Sequence, residues 1–361
     1  MNSYLLAVFL GYFLSVTCFA LVLNGVLLRF SKTLGIRSRT EEGMIRWSSE
    51  HKPSLGGISF YLLFLLSVAS FTIFFPQNQL MMNRTLLGLL GASSLAFIMG
   101  LADDAYNTRP LLKLFAQIGC GLILILTGTC ITIFNDNIPN YLLTIFWVVG
   151  MMNSVNMLDN MDGITTIISI NILVFAVYFE FMRDNYLNAY FLVMLGVLAA
   201  LCGFLYYNWH PSKLFMGDTG SQFLGVFLAA VGIHSFWNAP DYAQQHIHSK
   251  QLFVALLAFI MPVVDTSIVV VNRIAKGTSP FIGGKDHTTH HLVYMGFTER
   301  KVALIFGTVG FVSLALSWLI DNYLSSWGIF HIVLFAFYFL FILGLFYMIT
   351  QRNPAKSEKN I

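Results

Sequence analysis

Apolar runs of about 17 to 26 residues recur along the whole chain, each closed by a short break rich in polar residues, glycine or proline. A bilayer core of roughly 30 Å takes about 20 helical residues to cross, so the pattern predicts membrane-spanning helices. Eleven are read from it: 4–29, 55–75, 86–102, 111–128, 141–158, 163–182, 187–207, 221–237, 251–272, 302–320 and 328–350. The third, fourth, fifth and eighth are short or polar at one end. No break is long enough to house a soluble domain, so residues 1–361 read as one all-α polytopic membrane domain with a polar tail, QRNPAKSEKNI. The first run lacks a basic start and a small-residue cleavage site and outruns a signal-peptide core, so it is expected to stay as a helix.

Composition agrees with the pattern. The chain is 57% hydrophobic and 10% charged, with mean hydropathy +0.72, where a soluble domain carries about 25% charged residues. Nothing in so apolar a chain points to nucleic acid as a partner; the lipid bilayer is the expected one. The net charge of +3 says little, but its placement says more. With an outside N-terminus, 17 Lys and Arg fall in inner loops or the tail, and only Arg84, Arg183 and Lys250 lie outside. Such a positive-inside bias orients the chain, and an odd number of spans then leaves the C-terminus cytoplasmic. The four cysteines, Cys18, Cys120, Cys130 and Cys202, sit in or beside apolar runs without C-x-x-C spacing, which argues against both a disulfide framework and a cysteine metal site.

In this orientation the outer loops are plain connectors, whereas the inner breaks gather acids, amides and histidines. Acids at the membrane edge are costly, so their clustering suggests function. GLADDAYNTRP places Asp103 and Asp104 at the inner end of the third span, with Arg109 and Lys113 close by. Adjacent carboxylates repel unless a cation lies near, although an Asp-Asp pair also serves as a solvated helix cap. NSVNMLDNMDG, at the seam between the fifth and sixth spans, sets Asn153, Asn156, Asp159 and Asn160 at helical spacings of three and four, with Asp162 three further on. Five polar groups on one stripe exceed what capping needs. Such side chains can hold a nucleobase, a ribose or a hydrated metal.

YYNWHPSKLFMGDTGS carries Asp218 in a glycine-flanked turn, where a helix N-cap and a metal ligand are both open readings. Together, Asp103, Asp104 and Asp218 would suit Mg²⁺, which takes a few carboxylates plus water and phosphates. SPFIGGKDHTTHHLVYMGFTERK spaces His287, His290 and His291 by three and one, so that His287 is three and four residues from the others. No fourth ligand recommends zinc. Solvated loop histidines remain open, but a phosphate-binding cluster fits better because Arg273, Lys276, Lys285 and Arg300 flank it. HKPSLGGIS adds a stiff turn before the second span.

These five stretches, in this order, resemble the polyprenyl-phosphate N-acetylhexosamine-1-phosphate transferase superfamily (glycosyltransferase family 4) from about Lys52 to Arg300. Its members start O-antigen, common-antigen and teichoic-acid linkage units, or make peptidoglycan lipid I. The resemblance implies a bacterial cytoplasmic-membrane enzyme with its active site facing the cytoplasm. It would transfer a sugar 1-phosphate from a UDP-N-acetylhexosamine to undecaprenyl phosphate, release UMP and use Mg²⁺, or Mn²⁺ in its place. By motif, Asp103 and Asp104 would lie at the reacting phosphates, and Asn153, Asn156, Asp159 and Asp162 would line the nucleotide pocket. Asn208 and Phe215 match uridine-contacting positions, Asp218 matches the magnesium ligand, and HTTHH matches the histidine loop near sugar and diphosphate. Lys52 falls near a nucleotide-contacting lysine, and Lys113 and Arg273 are expected to meet substrate phosphates.

Asn107 stands where the family's first motif commonly has Asp or Lys, and the histidines read H-x-x-H-H. That spacing, with MPVVDT at 261–266, is closer to the N-acetylglucosamine branch than to the muramoyl-pentapeptide branch. Asp103 is expected as the base toward the lipid phosphate and Asp104 as its partner at the metal. Direct displacement and an aspartyl-phosphate route both stay open, as does a homodimer. A transporter would place acids near mid-span within inverted repeats, and prenyl or CDP-alcohol phosphotransferases would need other aspartate motifs. None of these patterns is present.

Overall fold

The computed structural model describes residues 3–33, 52–74, 83–241, 244–279, 284–324 and 326–352. Residues 353–361 of the tail and the basic stretch around Arg37, Arg39 and Arg46 lie outside the described residues. The chain forms helices α1 (Ser3–Thr33), α2 (Gly56–Phe74), α3 (Arg84–Tyr106), α4 (Pro110–Leu126), α5 (Asn137–Leu158), α6 (Ile164–Met182) and α7 (Ala189–Asn208). It continues with α8 (Gly217–Gly232), α9 (His248–Ala258), α10 (Ile260–Ala275), α11 (Thr288–Tyr294), α12 (Glu299–Tyr323) and α13 (Ile329–Gln351). Among the described residues no strand forms, and the sole extended pairing is a bridge between Ser54 and Phe215. In hydrocarbon every backbone polar group must be satisfied within the chain, which helices achieve locally.

Among the described residues, nine helices are long and apolar enough to span a bilayer. A tenth arises if α9 and α10 count as one bent span, and α4 is a shorter apolar helix. The chain is therefore a polytopic, multi-pass membrane protein. The continuous span expected over 251–272 is instead broken, with a bend of 78° between α9 and α10. Pro262 explains where the break falls: it lacks an N–H and is tolerated only in the first turn of a helix, which is where it sits in α10.

Helices α7 and α8 are apolar on nearly all sides and almost wholly buried, so they form the centre of the bundle. Around α8 pack α2, α3 and α5, and around α7 pack α1, α2 and α6. The rim helices α1 and α13 turn large apolar side chains such as Leu14, Phe30, Phe330 and Phe337 outward, as a lipid-facing surface requires. Close approach at the start of α8 depends on missing side chains. A Cβ on Gly57 would lie 2.2 Å from the Gly220 nitrogen, and one on Gly100 would lie 2.4 Å from the Asp218 carbonyl oxygen. These glycines let α2 and α3 touch the first turn of α8, and that contact brings the aspartates of α3 to Asp218.

Candidate active site

Four helix ends meet at one end of the bundle: the last turns of α3 and α5 and the first turns of α4 and α8. Asp103 is buried near the end of α3. Its Oδ1 accepts from the Thr108 backbone N–H at 2.8 Å and from the Thr108 hydroxyl at 2.7 Å, and its Oδ2 pairs with the Lys113 ammonium. The same ammonium is 3.8 Å from Asp218 Oδ2, so it lies between two carboxylates of different helices. Asn156 closes the third side, donating from Nδ2 to Asp218 Oδ1 and to Ser221 Oγ at 2.8 Å.

Asp104 does something other than expected. Its Oδ1 accepts from the Asp218 N–H at 2.9 Å, and its Oδ2 accepts from the Thr219 N–H at 2.9 Å and from the Thr219 hydroxyl. The carboxylate thus caps α8 from outside, where the orphaned N–H groups and the helix dipole favour an anion. With both oxygens engaged, Asp104 holds Asp218 in place and is a poor candidate for the metal. Asn107 also has a structural account. It ends α3 with φ of 50°, a left-handed conformation that asparagine tolerates better than most residues.

Asp159 follows the last turn of α5, half-buried, with no side-chain hydrogen bond among the described residues. Burial, followed by the negative charges of Asp218, Asp104 and Asp162, pushes its carboxyl up to about 8. Among the described residues the cluster therefore holds four carboxylates against one ammonium in contact with it, that of Lys113. A cation already lies between Asp103 and Asp218, and Asp159 faces the same excess of negative charge. Oxygen donors in this arrangement fit a hard divalent cation such as Mg²⁺, with Asp218 and Asp159 as the available carboxylates.

A second locus lies beside the first. Asp162 is buried and accepts from the Ser212 N–H at 2.9 Å and the Ser212 hydroxyl at 2.7 Å. The Lys52 ammonium is 3.8 Å from Asp162 and sits 5.3 Å from the centre of the Phe215 ring. Lys52, Asp162 and Phe215, 163 positions apart at the extremes, are thereby brought together. The bridge between Ser54 and Phe215, with Gly56 N–H donating to Phe215 O at 3.0 Å, holds the two loops side by side. Asn208 is different: its amide braces the loop, accepting from the Thr166 hydroxyl at 2.7 Å and donating to Leu214 O at 3.1 Å. Asn153 also faces a neighbouring helix, exchanging hydrogen bonds with Gln117 of α4 at 2.9 and 3.2 Å.

The histidine loop forms the third wall. Asn160 Oδ1 accepts from the Thr289 hydroxyl at 2.7 Å, tying α11 to the seam four residues beyond Asn156. His287 Nδ1 is 3.0 Å from Asp265 Oδ2, and Asp265 also accepts from the Thr288 N–H and hydroxyl. Burial pulls the pKa of His290 well below the usual histidine range, aided by the neighbouring positive groups, and burial likewise lowers His291. Neutral rings of this kind offer N–H donors rather than a permanent positive charge. Arg273, expected on substrate phosphates, is buried and forked onto Asp286 at 2.8 and 2.7 Å. Burial raises the Asp286 carboxyl, but the Arg273 fork more than offsets this and holds it below its ordinary value.

Several residues now bearing on the site had no role in the sequence reading: Thr108, Gln117, Ser212, Asp265 and Asp286. An acid inside an apolar run was the available signal for Asp265. The others are held by partners far away in sequence.

The model of glycosyl transferase family 4 matches residues 86–236. A decaprenyl-phosphate N-acetylglucosaminephosphotransferase of Mycobacterium leprae is 30% identical over 286 residues, 70% of this chain and 69% of the relative. A probable undecaprenyl-phosphate N-acetylglucosaminyl 1-phosphate transferase of Bacillus subtilis is 24% identical over 269 residues, 72% of this chain and 71% of that protein. A phospho-N-acetylmuramoyl-pentapeptide-transferase of Carboxydothermus hydrogenoformans is 26% identical over 305 residues, 79% of this chain and 89% of its own length.

Proposed function

The chain belongs to glycosyl transferase family 4, and on that premise we propose that it transfers N-acetylglucosamine 1-phosphate from its UDP derivative to undecaprenyl or a related polyprenyl phosphate, releasing UMP. The observation that carries the reading is the excess of carboxylates around Asp218, at the end of the bundle where a lipid-borne phosphate and a soluble nucleotide can meet. The relatives named for N-acetylglucosamine transfer favour that sugar. The site faces the cytoplasm of a bacterial inner membrane, because the donor is a cytoplasmic metabolite and the inner loops hold the basic residues.

Phosphoryl transfer of this kind depends on positioning and electrostatics more than on a covalent group from the protein. Bound at Asp218 and Asp159, Mg²⁺ would screen the two phosphates from each other and stabilise charge on the leaving UMP. Lys113 places a further positive charge between Asp103 and Asp218, where phosphate oxygens would approach. Lys52 and Phe215 form a cation and ring pair suited to a uracil, and Asp162 offers it an acceptor. An oxygen of the acceptor phosphate attacks the donor's β-phosphorus, the bond from that phosphorus to the bridging oxygen breaks, and the electron pair leaves with UMP.

Asp103, expected as the base toward the acceptor phosphate, already accepts from three donors, which weakens it as a proton acceptor. The test is purified protein with undecaprenyl phosphate, Mg²⁺ and a panel of UDP-sugars, following UMP. UMP from UDP-N-acetylglucosamine that is lost on adding EDTA is the expected result. UMP only from UDP-muramoyl-pentapeptide would move the chain to the lipid I reaction, and none from any donor would overturn the reading.

A further inference from the structure

A polar cavity of about 280 Å³ opens at the opposite end of the bundle. Helix α6 starts beside Asp162 and ends at Met182, so the rise from Ile164 to Glu180 is about 24 Å along its axis, away from the carboxylate cluster. The cavity is lined by Glu180, Arg183, Tyr190 and His234, with Thr129 and Asn185 at its edge. Glu180 is 1% exposed, and its Oε1 accepts from the Ser235 hydroxyl at 3.0 Å. Its Oε2, the Nε2 of His234 and the Nε of Arg183 are all buried and have no hydrogen-bond partner. Buried polar groups in native proteins are almost always satisfied, so three open ones around one cavity need an occupant.

Charge narrows what that occupant is. Three carboxylates gather here. Asp321 is forked by Arg183 at 2.9 and 3.0 Å, and Asp241 is paired with the buried Lys250 at 2.6 Å. Among the described residues Glu180 has no Lys or Arg in direct ion-pair contact; its nearest ionisable neighbour is His234, at 3.6 Å, and Arg183 follows three residues on. Water would satisfy the hydrogen bonds but bring no positive charge. The His234 ring is held by stacking on Tyr190, with centroids 4.2 Å apart and planes at 15°. His234 Nε2 faces Glu180 Oε1 at 3.6 Å and accepts from a ligand when the ring carries its proton on Nδ1. In that tautomer the cavity has two acceptors and the Glu180 charge on one side, and the Arg183 N–H on the other. A five-residue π-helical turn, Ile233–Trp237, delivers His234 and Ser235 to this wall, and such turns are frequent at functional sites.

We propose that this cavity binds a primary ammonium group with a neighbouring oxygen acceptor, the chemistry of an ethanolamine phosphate. The ammonium bonds Glu180 Oε2 and His234 Nε2, and the oxygen accepts from Arg183 Nε. Such a group reaches the site either as the head of a phospholipid in the outer leaflet or as a free solute.

The test takes the full-length protein from vesicles of equal phosphatidylethanolamine and phosphatidylcholine and measures retained lipid by native mass spectrometry. The two head groups differ in N–H donors, so the wild type is expected to retain one phosphatidylethanolamine with about tenfold preference, and Glu180→Gln to lose that preference. His234→Phe keeps the stack on Tyr190 and is expected to weaken the preference, so the test stands even if Glu180→Gln does not fold. A Tm raised by O-phosphoethanolamine in the wild type but not in the variants, without lipid preference, would assign the free solute and support the same chemistry. Absence of both lipid preference and Tm shift in the wild type would overturn the proposal, as would equal preference in wild type and variants.

Discussion

The two ends of the bundle hold charge in different ways. At the proposed catalytic end, among the described residues, Asp103, Asp104, Asp159 and Asp218 face a single ammonium, Lys113, and the cluster is partly open. At the other end, Asp241 and Asp321 are each matched by a buried cation in direct contact, leaving Glu180 as the lone surplus. Matched pairs hold helices together and need nothing further. A surplus of like charge destabilises the empty protein and is relieved by taking up protons or by a ligand of opposite sign. Stability is therefore concentrated at one end and chemistry at the other, and the two can be separated experimentally.

The largest expected effect is on the matched end. Lys250 is 1% exposed and joins α9 to Asp241 and to Leu324 O. Lys250→Met leaves Asp241 buried without its cation and should cost about 3–5 kcal/mol of stability. A large fall in Tm with unchanged kcat/KM for UMP release from the remaining folded protein is expected. A loss of kcat/KM at full stability would break the division between the two ends. Next comes Asp218→Asn, which removes charge where a divalent cation would bind. Turnover should fall by about 10²–10³-fold, the size of losing one principal electrostatic contact. The protein should remain monodisperse, and wild-type turnover would remove Asp218 from the metal site.

The sequence made this division only half legible. Apolar run lengths placed the helices, because a bilayer imposes one length on every crossing. Motif spacing along α5 placed Asn156 and Asp159 on the correct side, since helical periodicity is local. What stayed hidden was pairing across the chain. Nothing in GLADDAYN says that one aspartate accepts from Lys113 while its neighbour caps a helix 114 residues away. Arg273 looked like one of several free cations until the fold set Asp286 against it. The bend at Phe259 was equally hidden, because a proline in an apolar run marks a helix start as readily as a kink.

A third effect concerns pH. The Asp159 carboxyl is raised from an unfolded value near 3.9 to about 8, so between those values the folded protein holds a proton that the unfolded chain has released. Stability from this group is complete below about pH 4 and is lost as the pH rises through about 8. In EDTA, the Tm of the wild type should fall from pH 6 to about pH 8.5, and Asp159→Asn should flatten that slope. Adding Mg²⁺ at the higher pH should restore the wild-type Tm and do less for the variant. Parallel slopes in wild type and variant would remove Asp159 from the surplus.

The smallest expected effect tests how the histidine loop is joined to the carboxylate cluster. Asn160 and Thr289 share one hydrogen bond of 2.7 Å across 129 residues, and Asn160 lies four residues beyond Asn156, which holds Asp218. A single neutral hydrogen bond contributes about 0.5–1.5 kcal/mol, so Asn160→Ala and Thr289→Val should each lower kcat/KM by about two- to tenfold. Because both variants delete the same contact, the double variant should be no worse than either single one, which a double-mutant cycle reads as coupling. Additive losses would mean that the loop is held by its other bonds, chiefly Asp265 on His287 and Thr288, with Asn160 contributing to the seam alone. Coupled losses would make the seam the element that sets the distance between neutral histidines and carboxylates, and so fix the space left for two phosphates.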